Sequence, residues 1–208
     1  MNILGIDLAA KEKNPTGICI LNTKGFKFDT VFSNKDICEL VFTEFPSLII
    51  VDSPLSLPKG RCCLEKDCEC AVGGHFRQAE KEIRKYGNVL PLTFKGMKML
   101  TLRGITISSR LKNDFTVIES HPRTSLKVLG YDNFIKLLKP YNVKSNLNEH
   151  ELDAAVLAIT GYLHTNNCSL ELGDNEEGTI VIPNKSDCMD LLLRSLHTLL
   201  KSGKKIDF

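Results

Sequence analysis

The sequence predicts an α/β fold, in which a mixed β-sheet carries helices on both faces. Short apolar runs at 2–8, 47–52 and 115–119 are typical of buried strands. Helical patterns precede the runs at 47–52 and 115–119, so these two strands can pair parallel with their neighbours. The strands predicted at 2–8, 16–22 and 26–32 are joined by short links, which require antiparallel pairing. The length of 208 residues suits one such domain with some extra elements.

The first part of the chain alternates between strand and helix patterns. The predicted elements are strands at 2–8, 16–22, 26–32 and 47–52 and a helix near 35–44 with Asn34 as its N-cap. Pro54 and Pro58 then end regular structure, and residues 53–74 form a long loop that contains cysteines and glycines. Loops of this length are usually functional or mobile.

The second part of the chain is mostly helical. The predicted elements are helices at 75–87, 96–113, 122–130, 132–139, 148–164 and 187–201, a strand at 115–119 and two short strands within 170–182. This order predicts a ribonuclease H-like fold, with three antiparallel strands followed by two parallel ones in a five-stranded sheet. The chain is therefore expected to be a single domain, 1–208, with a Cys-rich loop insertion at about 53–74 and a C-terminal hairpin plus helix at about 170–203.

Composition and charge favour a protein of the cytoplasm. Hydrophobic residues make up 42% and charged residues 25% of the chain, and the net charge of +2 gives no global signature of nucleic-acid binding. The chain starts directly in a strand pattern, and no apolar run approaches the length that spans a membrane. We therefore expect a cytoplasmic protein without membrane association, in which any nucleic-acid surface is a local basic patch.

Three predicted strands each end in an acidic residue: Asp7, Asp52 and Glu119. If these strands lie parallel and adjacent, their carboxyl ends share the sheet edge where open α/β sheets place ligands. Converging carboxylates repel one another unless protons or a cation neutralise them. The pattern therefore predicts a magnesium-type site and phosphate chemistry.

Several short motifs together resemble a known family. They are Gly5-Ile6-Asp7-Leu8-Ala9, Asn14-Pro15-Thr16-Gly17, Asp52-Ser53-Pro54-Leu55-Ser56-Leu57-Pro58, Leu100-Thr101-Leu102-Arg103-Gly104, Glu119-Ser120-His121-Pro122-Arg123, Glu151-Leu152-Asp153-Ala154-Ala155 and Gly173-Asp174-Asn175-Glu176-Glu177-Gly178. In this order, and over nearly the whole chain, they are similar to the motifs of domain-of-unknown-function family 429. Members of that family are described as predicted nucleases of the ribonuclease H-like fold, so the resemblance implies that fold and a nuclease activity.

His150-Glu151-Leu152-Asp153 also resembles the last metal-binding motif of Holliday-junction resolvases, in which the final ligand lies on a late helix. Residues three apart share one helix face, so His150 and Asp153 are expected to point to the same ion. The predicted catalytic set is Asp7, Asp52, Glu119, Asp153 and His150. The four acids of that set are the expected ligands of two Mg²⁺ or Mn²⁺ ions.

Each of these residues also has a simpler structural interpretation. Asp52 before Ser-Pro is a good turn residue, and Asp153 suits the first turn of a helix. His150 is also compatible with a surface position near a helix start. The functional interpretation is strongest for Asp7, because an unpaired charge at the end of a buried strand is costly.

Basic residues near the same motifs are candidates for phosphate binding. They are Lys59, Arg61, Arg103, His121 and Arg123. Arginine suits bidentate phosphate contacts, but arginines also neutralise nearby acids within a fold. Nucleic acid, either DNA or RNA, is the expected partner.

A cysteine cluster marks the long loop: Cys62, Cys63, Cys68 and Cys70. Zinc binding, in which His75 is a further candidate ligand, a disulfide and free thiols are all compatible with this arrangement. The spacing lacks the paired C-x2-C knuckles of structural zinc sites, and disulfides are unusual in a cytosol.

The sequence thus favours a metal-dependent nuclease or phosphodiesterase. A non-catalytic binding module of the same fold remains open as an alternative. An ATP-binding protein of the actin or sugar-kinase type is a weaker one, because such proteins need two related domains and a phosphate loop, whereas Asp7 is followed by Leu-Ala-Ala.

Overall fold

A seven-stranded mixed β-sheet forms the centre of the protein. The computed structural model describes residues 1–65, 68, 69, 72–141, 143 and 146–201, without the side chains of 187, 188 and 199. The strands are β1 (Asn2–Asp7), β2 (Thr16–Asn22), β3 (Gly25–Val31), β4 (Leu48–Val51), β5 (Val117–Ser120), β6 (Ser169–Asp174) and β7 (Gly178–Pro183). Their order across the sheet is β3-β2-β1-β4-β5-β7-β6. Strands β1, β4, β5 and β7 are mutually parallel, and β2, β3 and β6 pair antiparallel with their neighbours.

Helices cover both faces of the sheet, as predicted. They are α1 (Asn34–Glu44), α2 (Gln78–Ile83), α3 (Lys95–Leu111), α4 (Pro122–Val128), α5 (Phe134–Leu138), α6 (Glu149–Thr165) and α7 (Asp187–Lys201). The N-cap of α1 is Ser33, which forms a capping box with Asp36, and not Asn34 as predicted. Helix α2 is shorter than the predicted 75–87, because the chain turns after Ile83 and packs Gly87 against Thr124.

The two helical layers enclose two separate cores because side chains alternate along each strand. On one face, Ile3, Leu48 and Ile50 pack with the apolar side of α6. On the other face, Leu4, Ile6, Ile49 and Val51 pack with residues of α1 and α3, among them Val41 and Ile107. Strands β1 and β4 are buried from both sides, which explains their continuous apolar runs.

The mixed α/β sheet was predicted correctly, but its expected size of five strands was wrong. The C-terminal hairpin joins the same sheet, since β7 pairs with β5 through Glu119–Ile180 and Ser120–Val181. Ile180, Ile182 and Leu172 also form a third apolar cluster with α2. This cluster gives the hairpin a buried face that the local sequence pattern does not reveal.

Helix α6 lies unusually close to the first two strands. A Cβ atom at Gly5 would be 2.1 Å from the carbonyl oxygen of Ala154, and one at Gly17 would be 2.1 Å from that of His150. Both glycines therefore let the helix backbone rest directly on the sheet. The contact brings the first turns of α6 beside the carboxyl end of β1.

In the part of the chain that the structure describes, no helix combines the length and the apolar character needed to cross a membrane.

Candidate functional site

Two of the predicted acids lie side by side at the carboxyl edge of the sheet. Asp7 ends β1, and Asp52 follows the last residue of β4, the parallel neighbour of β1. The Asp52 amide donates a hydrogen bond to the Ile6 carbonyl over 2.9 Å, which extends the pairing up to the acids. Asp7 is buried and Asp52 is partly buried. Strand pairing alone therefore places both carboxylates at one edge.

The start of α6 adds His150 and Asp153 to this edge. Asn148 caps the helix and forms a capping box with Glu151, which fixes where the first turn begins. His150 Nδ1 lies 2.7 Å from Asp7 Oδ2, and Asp153 is 5% exposed. Arg123 reaches Asp153 Oδ2 at 3.6 Å from the solvent side. The structure therefore brings together four of the five residues of the predicted catalytic set.

Burial, and for Asp52 and Asp153 also the charge of Asp7, disfavours the ionised forms of these carboxylates. Burial raises the pKa of Asp7, while the hydrogen bond from His150 opposes that shift. Burial and the neighbouring Asp7 raise the pKa of Asp153 to about 7. The pKa of Asp52 lies well above its usual range, first because of burial and then because of the charges of Asp7 and Asp153. Such a cluster is stable at neutral pH only with bound protons or a cation.

The donor set fits a hard divalent ion. Asp153 Oδ1 is buried and has no hydrogen-bond partner among the residues that the structure describes. Buried polar oxygens are nearly always satisfied, and carboxylate oxygen is the ligand that Mg²⁺ and Mn²⁺ prefer. Among the described residues, no three carboxylate or imidazole ligand atoms lie within 4.8 Å of one another.

Glu119 departs from its predicted role. Both of its carboxylate oxygens accept hydrogen bonds from Arg77, over 2.9 and 2.6 Å, and Oε2 also accepts from the Leu55 amide. Arg77 is fully buried and also pairs with the buried Glu80. Ion pairing thus accounts for Glu119 without a metal ion, and the carboxylate ties β5 to the loop that follows β4.

Arg77 and Glu80 form the part of the site region that the sequence analysis missed. Nothing in the local sequence indicates that Arg77 is buried, because charged residues near a helix start are usually exposed. Its partners lie at sequence distances of three and forty-two residues. Only the folded chain brings the three charged groups together.

Three of the five predicted substrate-binding residues instead support the fold. Arg103 is buried and its guanidinium donates to Asn34 Oδ1, the Ala9 carbonyl and the Phe32 carbonyl. Arg61 donates to carbonyl groups of its own loop. Lys59 pairs with Glu176 of the β6–β7 turn. The fold already uses these cations, Arg103 most completely.

His121 and Arg123 remain at the carboxyl edge beside the acids. His121 caps α4, and its Nδ1 accepts a hydrogen bond from the Thr124 amide over 3.2 Å. Burial, with a smaller contribution from the charge of Arg123, lowers the pKa of His121, so the neutral ring carries its hydrogen on Nε2. The side chain of Arg123 is 67% exposed and is free to move toward a ligand.

The acidic β6–β7 turn does not approach the carboxylate cluster through Glu177. The buried Glu177 carboxylate accepts hydrogen bonds from the Lys59 and Gln78 amides. Asp174 accepts from two amides of its own turn. These acids therefore fasten the hairpin to the long loop.

The cysteine cluster lies in the long loop. The sulfur atoms of Cys62, Cys63 and Cys68 are within 4.8 Å of one another, while Cys70 lies outside the described residues. Cys62 is disulfide-bonded, so it offers no thiolate to a metal in this state. His75, the further candidate zinc ligand, directs Nδ1 to Thr93 Oγ1 over 2.9 Å. Zn²⁺ at this cluster stays a prediction.

Fold and site together define an α/β protein with a buried carboxylate cluster at the carboxyl edge of a mixed sheet. No family model, curated protein or solved structure matches the chain. The assignment of a function therefore depends on the chemistry of the site.

Proposed function

We propose that this protein is a metal-dependent nuclease or phosphodiesterase on a ribonuclease H-like scaffold. The order β3-β2-β1-β4-β5 and the acids at the ends of β1 and β4 support this proposal. The late helix α6, which supplies a third acid, supports it further. The resemblance to family 429 points to the same activity.

One observation carries the proposal. Asp7, Asp52 and Asp153 converge from two strands and a helix; burial raises the pKa of each, and the charge of Asp7 raises the pKa of Asp52 and Asp153 further. Natural folds keep such repulsion mainly where it serves a function, and a divalent cation removes it. Mg²⁺ or Mn²⁺ is therefore the expected cofactor, held by these three aspartates.

The surrounding residues have distinct tasks in this reaction. Bound divalent ions supply Lewis acidity and lower the pKa of an attacking water. His150 holds the Asp7 carboxylate in one orientation through its 2.7 Å contact. Arg123 faces the solvent beside Asp153 and is suited to a non-bridging phosphate oxygen of the substrate. His121 offers an Nε2–H donor at the same edge.

The proposal is tested with Asp7→Asn and with Asp114→Asn, an exposed acid in the turn after α3 that serves as the matched control. Cleavage of fluorescently labelled single- and double-stranded DNA and RNA is followed with Mn²⁺ and with EDTA. We expect the wild type and Asp114→Asn to cleave only with metal. Asp7→Asn is expected to lose activity by about a hundredfold or more while its melting temperature stays near that of the wild type. Undiminished metal-dependent cleavage by Asp7→Asn would falsify the proposal.

A non-catalytic binding module is the second candidate. The contacts of His150 with Asp7 and of Arg123 with Asp153 favour it, because a hydrogen bond from His150 and the charge of Arg123 stabilise the ionised carboxylates. Mn²⁺ titration followed by calorimetry separates the two candidates. A module without the chemistry is expected to bind no Mn²⁺ at these aspartates and to cleave none of the four substrates.

A further inference from the structure

A cleft of about 520 Å³ opens directly beside the carboxylate cluster. Asp52 belongs to both, so a ligand in the cleft would lie next to the proposed metal site. The volume is within the range of roughly 300–1,000 Å³ that is typical of small-ligand sites.

One wall of the cleft is apolar. Leu90 from the segment before α3, together with Met97 and Leu100 from α3, lines it. Leu90 is 53% exposed, which is high for a large apolar side chain beside a polar site. Leucine and the polarisable methionine suit contact with a flat heterocycle.

A second group of lining residues carries hydrogen-bond donors and positive charge. It contains His121, Arg123 and Lys127. Within the described part of the chain, no carboxylate pairs with Lys127. Among the acids that line the cleft, Glu80 and Glu119 are already paired with Arg77, and Asp52 belongs to the proposed metal site. Arg123 and Lys127 are therefore suited to contact a phosphate group.

We propose that this cleft binds one unpaired nucleotide of the substrate strand. The base lies against Leu90, Met97 and Leu100, and the phosphate faces Arg123 and Lys127. This inference rests on the proposed function and adds a preference for single-stranded or frayed substrates. A base inside a duplex is stacked on both faces, so it must leave the stack before it can enter the cleft.

The test measures binding in EDTA, so that its result does not depend on cleavage. Fluorescence anisotropy compares a labelled single-stranded DNA with its blunt duplex, and unlabelled AMP serves as a competitor. We expect the single strand to bind at least about tenfold more tightly than the duplex. Leu90→Ala should weaken single-strand binding about fivefold, and Lys127→Ala should reduce the salt dependence by about one phosphate contact.

Leu102→Ala is the matched control, because Leu102 is an exposed leucine of α3 that lies outside the cleft. Melting curves establish that all three variants are folded. Equal affinity for the two DNA forms, or Leu90→Ala binding like Leu102→Ala, overturns the inference. A fluorescent nucleotide is used as a second probe. If AMP displaces this probe while no DNA strand binds, the inference is also overturned, and the cleft is a site for free nucleotides.

Failure of this inference and failure of the proposed function are distinguishable. Asp7 does not line the cleft, so Asp7→Asn should keep the single-strand preference while it loses cleavage. If the wild type cleaves with Mn²⁺ but shows no preference for single strands, the proposed function is supported and only the inference about the nucleotide cleft is refuted.

Discussion

At the scale of single residues, the partners of a buried charged group decide whether it serves the site or the fold. One buried oxygen of Asp153 has no partner within the described part of the chain, whereas both oxygens of the equally buried Glu119 accept hydrogen bonds from Arg77. The two acids therefore differ in what they can still bind, although both were predicted to be metal ligands. Arg77 and Arg103 show the same principle for cations, because their donors are directed to protein acceptors.

Replacement of Arg77 by methionine is expected to destabilise the protein strongly. It leaves Glu80 and Glu119 buried without a counter-charge, and breaking a buried pair in this way costs about 3–5 kcal/mol. Urea denaturation measures the loss. The exposed Arg110→Ala on α3 is the control, with an expected change within about 0.5 kcal/mol.

Arg77→Met/Glu119→Gln should recover part of that loss, because it removes one of the two stranded charges. If Arg77→Met were as stable as Arg110→Ala, the buried pair would be unimportant for stability. Arg77→Lys keeps the charge with fewer donors, and it provides an intermediate case should the methionine variant not fold.

At the scale of secondary structure, the close contact of α6 with β1 and β2 assembles the site. His150 and Asp153 lie on the helix, and His150 contacts Asp7 because the helix backbone packs directly on Gly5 and Gly17. The capping box at Asn148 fixes the start of the helix. Gly5 in β1 and Gly17 in β2 thus determine where the functional side chains of α6 lie, although this helix is far from both strands in the sequence.

We expect Gly17→Ala to displace the first turn of α6. Its Cβ would lie 2.1 Å from the backbone oxygen of His150, and neither backbone can yield cheaply. The free energy of unfolding should fall by about 1–3 kcal/mol, and Mn²⁺ affinity should fall with it. Denaturation and calorimetry measure the two effects.

Gly96→Ala in the first turn of α3 is the control for this substitution. The nearest atoms to its new Cβ lie 3.9 Å away in the Phe94 ring, so the methyl group has room. Its expected effect is neutral or slightly stabilising. A Gly17→Ala protein that binds Mn²⁺ with unchanged affinity would show that close packing of α6 is not required for the site.

At the scale of the whole molecule, the protein bears an electrostatic cost at the sheet edge that a cation would remove. Three carboxylates with raised pKa values occupy this edge, and a fold without a ligand has to hold them together. Global stability should therefore depend on pH and on metal in a linked manner.

Without metal, Asp153→Asn is expected to gain stability relative to the wild type as the pH rises from about 4 to about 7. The pKa of Asp153 moves from 3.8 to about 7 on folding, so in this window the native state binds more protons than the unfolded state. The wild type therefore loses stability with rising pH, at up to about 1.4 kcal/mol per pH unit, and the asparagine variant lacks this loss. Thermal or urea denaturation in EDTA at several pH values measures the difference.

Added Mn²⁺ should reverse the order of the two proteins near pH 7, because the ion stabilises only the intact aspartate cluster. Its affinity should weaken toward acid, where protons compete for Asp153. A stability difference that does not change with pH would show that Asp153 ionises normally in the folded protein.

The sequence by itself determined most of the elements and the main members of the site. The sequence shows two apolar runs that end in Asp7 and Asp52 and a helical pattern that contains Asp153. These patterns can be recognised without the tertiary structure, because the strand and helix periods depend only on residues close together in the chain. The prediction that Asp7 and Asp52 converge followed from the parallel order of their strands, whereas Asp153 was added because its motif resembles that of Holliday-junction resolvases.

Tertiary structure alone decided which long-range partners the charged residues took. Arg77 forms an ion pair with Glu119, and Gly5 and Gly17 allow α6 to pack closely on the sheet. The hairpin pairs with β5 and adds a sixth and a seventh strand. These outcomes depend on burial and on close approach between residues far apart in the chain. Such energies arise only once the chain is packed, so no local pattern encodes them.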